Sequence, residues 1–200
     1  DNMQGIININ KEKDYTSRDV VNIISKRFKT KKVGHTGTLD PLATGILTIC
    51  IGRATKLVEL ITNHDKEYIA SLTFGIETDT LDITGNIIKE EDAIIDKETI
   101  IKVLKSYKTT YNQEVPKYSA IKINGRKLYE YARANEKVEI PSRKITIYDI
   151  ELLNYKTENN KTSIQIKCSV SKGTYIRSLI RDIGASLNTK AVMTDLKRTK

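Results

Sequence analysis

The stretch KVGHTGTLDPLATGILTICI, residues 32–51, decides how this chain is read. It gathers Gly34, Gly37 and Gly45, the turn former Pro41, His35 and the carboxylate of Asp40 into a short run that then turns apolar. The proline ring disfavours helical geometry at the preceding residue, which puts Asp40 in an extended or turn conformation. Gly34 and Gly37 permit backbone angles or close approaches that a side chain forbids. Ile46, Leu47, Ile49 and Ile51 read as a buried strand. The spacing therefore predicts a loop that presents Asp40 from a rigid element, the usual arrangement for a working residue. An Asp-Pro pair taken alone more often serves as a turn in which the carboxylate caps its own backbone. No Lys follows Gly37 or Gly45, so the Gly-Lys-Ser/Thr ending of a phosphate-binding loop is missing.

Two hundred residues make one large domain or two intimately joined halves. Thirty-four Lys and Arg against twenty-five Asp and Glu give a formal charge of +9. That balance suits a polyanionic partner, although a Lys-rich composition also describes a solvated surface. Cys50 and Cys168 lie far apart in apolar, strand-like runs, the pattern of reduced, buried thiols in a cytoplasmic protein. Neither they nor His35 and His64 show metal-ligand spacing, so no metal site is expected. No apolar run reaches the roughly 18 residues of a membrane span, and the first residues lack the regions of a signal peptide. Asp1 and Asn2, ahead of Met3, read as an expression remnant.

Outward from the central stretch, residues 5–10 form an Ile-rich strand. Thr16 with Asp19 makes a capping-box start for a helix carrying Val20, Ile23, Ile24 and Phe28 at helical spacing. Its basic end, Lys26, Arg27, Lys29, Lys31 and Lys32, leads straight into the central loop, where phosphates of a polyanion can be held. Residues 52–60 predict a short helix bearing Lys56. Residues 66–74 alternate as Tyr68, Ala70, Leu72 and Phe74 in strand period. The polar run 75–85 lacks EF-hand spacing and reads as a capped or solvated loop. Asp96 caps a helix through Ile100, Ile101, Leu104 and Tyr107.

Asn124-Gly125 signals a hairpin after Ile121 and Ile123, ahead of a short amphipathic helix. Residues 145–152 and 164–170 alternate and pair across a turn near Asn159 and Asn160. Ile176, Leu179, Ile180 and Ile183 fall at helical spacing, leaving Arg177 and Arg181 together on another face, where such arginines usually meet solvent or a carboxylate. Residues 191–196 form a last strand. Strands and helices alternate irregularly, with hairpin signals and no repeat or Pro/Gly-rich linker. This predicts an α+β fold around a mostly antiparallel mixed sheet, as a single domain over residues 3–200.

VGHTGTLDPLATGIL, residues 33–47, resembles the catalytic motif of the TruB family of pseudouridine synthases. KGTYIR, residues 172–177, is similar to a second motif of that family, and residues 191–196 with the following Lys-Arg-Thr to a third. Residues 113–133 resemble its Pro-x-Tyr-Ser-Ala-x-Lys and Gly-x-x-Leu-Tyr pattern, so the likeness covers nearly the whole chain. One departure is clear. The family opens with Lys-Pro-x-Gly-x-Thr-Ser, whereas Lys11, Glu12, Lys13, Asp14, Tyr15, Thr16 and Ser17 stand here. Bacterial members usually continue into a segment of the PUA type, and the expectation from this sequence, which ends at Lys200, is a chain without one.

The resemblance implies a pseudouridine synthase fold, a central sheet flanked by helices with an RNA-binding cleft. It implies a cofactor-free isomerase acting on uridine 55 in the T-loop of tRNA, with the T-arm as partner and the chain a monomer. Asp40 would be the essential carboxylate, attacking ribose C1′ with glycal formation or adding to the uracil ring. Tyr68 would be the active-site tyrosine and Arg177 the arginine partner of Asp40, since a neighbouring guanidinium favours the ionised carboxylate. His35 would fill the gap left by the flipped base. Gly37, Thr38, Lys56, Lys172, Tyr175 and Leu196 complete the implied substrate-binding set, Leu196 lining the uracil pocket. The rival from another class is a non-catalytic RNA-binding or RNA-remodelling module, which has no need of a carboxylate aimed at an anionic ligand.

Overall fold

A computed structural model describes residues 3–200; Asp1 and Asn2, read from sequence as a remnant, lie outside the described residues. By its internal contacts the chain falls into two units, one made of residues up to Ile69 with Asp195–Lys200, the other of Ala70–Thr194.

The first unit opens with β1 (Gly5–Lys11) and α1 (Ser17–Arg27), followed by β2 (Val33–Thr36) and β3 (Thr44–Ile51). A 3₁₀ turn over Gly52–Leu57, α2 (Val58–Thr62) and the first residues of β4 (Lys66–Phe74) come next. The predicted helix at 52–60 is thus a 3₁₀ turn that passes into one α-helical turn. β3 is the axis of the unit. β1 runs antiparallel along its full length, from Gly5 opposite Ile51 to Lys11 opposite Gly45. β2 covers only half of the other edge, pairing Val33 with Ile51 and Thr36 with Thr48. Leu47 and Ile49 are fully buried there. α1 begins at the predicted capping box: the Asp19 N–H donates to Thr16 Oγ1 at 2.9 Å, and the Thr16 N–H to the Asp19 carboxylate at 2.8 Å. Its inward stripe is Ser17, Val20, Val21 and Ile24, which leaves Ile23 just off the stripe and 53 % exposed, against expectation.

The turn between β1 and α1 answers the departure noted above. Asp14, standing where the family pattern has glycine, adopts φ +72°, a left-handed angle that Asp and Asn tolerate better than other side chains. This turn thus holds a left-handed residue without a glycine.

The second unit holds the rest of β4, then β5 (Ile76–Thr78), β6 (Ile87–Glu90), α3 (Lys97–Ser106) and β7 (Thr110–Glu114). β8 (Lys122–Ile123), β9 (Arg126–Lys127), α4 (Leu128–Arg133), β10 (Ser142–Glu158), β11 (Lys161–Val170), α5 (Ile176–Ser186) and most of β12 (Ala191–Arg198) follow. β10 pairs antiparallel with β7 at its start and with β11 over the remainder. The hairpins form where the sequence placed them: Asn159 and Asn160 take φ of 54° and 59°, Asn124 and Gly125 of 51° and 79°. α3 lies against β10 and α5 against β7, over a core that includes Ile100, Leu104, Ile145, Ile147, Leu179 and Ile183. Cys168 here and Cys50 in the first unit are buried thiols outside any disulfide, as expected. The last residues of β12 return to the first unit, where Lys197 and Arg198 run parallel to Thr44 and Gly45. With that parallel pair among antiparallel ones, the fold is α+β with a mixed, mostly antiparallel sheet.

Asp14→Gly should stabilise the chain by roughly 0.5–1 kcal/mol, since glycine takes a left-handed angle without steric strain at some cost in unfolded-chain entropy. Urea denaturation of the two forms measures it, and unchanged or lower stability would show that the Asp14 side chain contributes more than its backbone angle costs.

Candidate active site

Asp40 sits in the loop between β2 and β3, as the Asp-Pro pair predicted, and it is half-buried. The loop is held by its backbone. Ser17 Oγ donates to the Leu39 carbonyl at 3.2 Å and accepts the Leu39 N–H at 3.0 Å, so one hydroxyl fills both roles. The Ala43 N–H closes the turn on the Asp40 carbonyl at 2.9 Å, and the Asp14 N–H donates to the Pro41 carbonyl at 2.8 Å. Lys11, only 1 % exposed, donates from Nζ to the carbonyls of Tyr15 (2.6 Å), Glu12 (2.9 Å) and Pro41 (3.3 Å). Burial lowers the Lys11 pKa below the usual lysine range, opposed by the negative charges of Asp40, Asp14 and Asp19. The ammonium thus lies within electrostatic reach of Asp40 while it stitches β1 to the loop.

His35 stands on β2, half-buried, with Nδ1 buried and no hydrogen-bond partner for it among the described residues. Burial depresses its pKa below the ordinary value, and the positive charges of Arg18 and Arg198 add to the effect. Gly37, at φ +61°, and the exposed Thr38 follow on the same loop. Leu196 on β12 is buried, and its carbonyl accepts from Thr44 Oγ1 at 3.4 Å, at the far end of the loop. Tyr68 occupies a buried, inward position of β4, and Lys56 is exposed on the 3₁₀ turn.

The remaining sequence-predicted residues belong to the second unit, at the start of α5. Lys172 is exposed and Tyr175 is the residue on which the helix begins. Arg177, whose spacing with Arg181 left solvent or a carboxylate as its expected surroundings, is 8 % exposed. Its Nη1 donates to the Thr80 carbonyl at 2.9 Å, and Nη1 and Nη2 both reach the Tyr118 carbonyl at 3.3 Å. A buried guanidinium must have such acceptors, and these two carbonyls orient it.

A residue that sequence reasoning passed over, Gln113 on β7, holds this helix start. Its Oε1 accepts the Tyr175 N–H at 2.9 Å and its Nε2 donates to the Tyr175 carbonyl at 3.2 Å. Nε2 also reaches the Tyr111 hydroxyl, which donates to the Asp182 carboxylate at 2.8 Å. Burial, with the Asp182 charge, pushes the Tyr111 phenol well above its usual range, so it remains a donor. The available signal was a polar residue at an inward strand position. Among the described residues no group of three or more His, Cys, Asp or Glu side chains could hold a metal ion, and no helix is long and apolar enough to cross a membrane.

Residues 25–176 match the family model described as TruB family pseudouridylate synthase (N-terminal domain). The chain is 50 % identical, over 99 % of its length, to the tRNA pseudouridine synthase B of Clostridium tetani, of which it covers 68 %. It is 52 % identical, over 98 % of its length, to the enzyme of that name from Fusobacterium nucleatum, of which it covers 67 %. A solved Cbf5–Nop10–Gar1 complex contains a chain that superposes with a TM-score of 0.73 at 31 % identity, over 98 % of this chain and 48 % of that one. The chain thus spans about two thirds of those curated relatives and about half of that solved chain. The chain belongs to the TruB family of pseudouridylate synthases, which are isomerases, and carries their fold.

Because the folded-state pKa of His35 is depressed, its neutral form is favoured by folding. The stability it contributes is present above the ordinary histidine value of about 6.5 and lost as pH falls through the lower folded value. NMR titration of the imidazole should give a midpoint below about 6.5, and His35→Gln should flatten this part of the stability profile. A midpoint at or above the ordinary value would show that His35 is solvated.

Proposed function

We propose that this chain is a tRNA pseudouridine synthase that isomerises uridine 55 of the T-loop, with Asp40 as its essential carboxylate. What supports this most is the backbone anchoring of Leu39, Asp40 and Pro41, on a chain half identical to relatives bearing that enzyme's name. In the reaction the bond from ribose C1′ to uracil N1 breaks, the base rotates, and a bond forms from C1′ to C5. The C5 proton leaves and N1 ends protonated. No electrons are gained or lost, so no redox cofactor is needed, and the chain is proposed to act as a cytoplasmic monomer without cofactor or metal.

The uridine must leave its stack to reach Asp40, at a cost of a few kcal/mol. His35, neutral at pH 7, takes the vacated space in the RNA loop. Tyr68 stacks on the uracil and takes part in removing the C5 proton, and Leu196 lines the pocket. Arg177 is the arginine of the catalytic set. Lys56 and Lys172 hold phosphates, and Gly37, Thr38 and Tyr175 border the bound nucleotide. Residues 3–200 are taken to act as one catalytic domain.

The test is tritium release from a T-arm transcript labelled at uridine C5. Asp40→Asn should reduce release to background while binding persists, because the amide keeps the shape and loses the charge. Arg177→Ala should slow turnover about 10²-fold or more, the scale of losing an electrostatic partner in a desolvated site. Full release by Asp40→Asn would sink the mechanism; no release by the unaltered chain with binding intact would favour an RNA-binding module.

A further inference from the structure

Arg198 lies near the end of β12, in no role that the proposed chemistry assigns, yet it is 4 % exposed. Its side chain runs back to the Asp40 loop. Nε donates to the Ile46 carbonyl at 2.9 Å and Nη2 to the Gly37 carbonyl at 3.0 Å. These carbonyls stand on either side of the turn that carries Asp40. A buried guanidinium without acceptors is costly, and a planar fork can serve two carbonyls at once where an ammonium offers one point of charge.

The two glycines of the loop make room for this one residue. A Cβ on Gly37 would lie 3.2 Å from Arg198 Nη1, at a φ of +61° that side chains rarely adopt. A Cβ on Gly45 would lie 2.1 Å from the Arg198 carbonyl oxygen, at a φ of +103°. Gly37 therefore admits the guanidinium and Gly45 admits the backbone, the latter where Arg198 and Gly45 are parallel partners. The charge also reaches its neighbours: Arg198 lowers the pKa of His35 and of Lys66, in each case behind burial.

We propose that Arg198 is a positioning residue for the reaction: by tying Gly37 to Ile46 it fixes both ends of the loop and so sets where the Asp40 carboxylate stands. This rests on Asp40 being the essential carboxylate. Lys11 and Ser17 hold the loop at its middle, while Arg198 alone among the described side-chain bonds reaches both flanks. A displacement of about 1 Å at the reacting group is enough to cost about 10²-fold in rate.

The experiment uses the full chain and the labelled T-arm transcript, with kcat and KM referred to folded enzyme, and amide hydrogen exchange at Leu39 and Ala43. Arg198→Lys keeps the charge and loses the fork. It should lower kcat by about 10²-fold with KM little changed, and speed exchange at Leu39 and Ala43 while the amides of β1 stay protected. A role in stability alone would lower the melting temperature and leave kcat per folded molecule intact. Arg198→Met, which leaves no buried charge in search of partners, replaces the lysine form should that fail to fold, with the same expectation. An unchanged kcat with unchanged loop exchange would overturn the proposal. Full activity in the parallel Asp40→Asn form would instead remove the assignment of Asp40, and the exchange data would still decide whether Arg198 orders the loop.

Discussion

A lysine ammonium with almost no exposure has to be surrounded by acceptors, and in this protein it is surrounded by backbone. The three carbonyls that receive Lys11 Nζ come from the turn after β1 and from the loop that carries Asp40. An unsatisfied charge in that position would cost several kcal/mol, so the turn and the loop are bound to adopt compatible shapes. β1 is itself locked to β3 residue by residue, and Lys11 is the last partner in that ladder, opposite Gly45. The loop thus leaves β2 and enters β3 under the control of a strand that precedes both in sequence.

Much of this was legible in the residues. The proline after Asp40 dictated a turn, the alternation of Tyr68, Ala70, Leu72 and Phe74 dictated a strand with those side chains inward, and Asn124-Gly125 dictated its hairpin. Thr16 and Asp19 announced the start of α1 through a reciprocal pair of hydrogen bonds that depends only on local spacing. Such features are short-range, so a single sequence contains their cause.

The features that escaped are long-range. Nothing near Gln113 reveals that its amide meets the backbone of Tyr175, 62 positions later, because the match depends on how β7 packs against α5. Arg198 and Gly37 are 161 positions apart, and the glycine's purpose becomes visible only once β12 lies beside β3. Helical spacing grouped Arg177 with Arg181 correctly, yet it could not say that carbonyls from two distant segments would draw Arg177 inward. Asp14 carries the opposite lesson. The departure from the family pattern falls on a residue at φ +72°, a left-handed angle that a short polar side chain can hold without glycine.

β10 is a strand of 17 residues with two neighbours in series, β7 over its first five residues and β11 thereafter. In the first ladder Gln113 lies opposite Arg143, and that pairing decides which face of β7 the amide occupies. Side chains alternate along a strand, so a slip of one position would send Gln113 to the opposite face and release the backbone of Tyr175. Strand register is therefore the unit of error to which the start of α5 is sensitive. An insertion or deletion of one residue in the opening segment of β10, outside every motif of the site, would reach the helix of Arg177 through strand pairing alone.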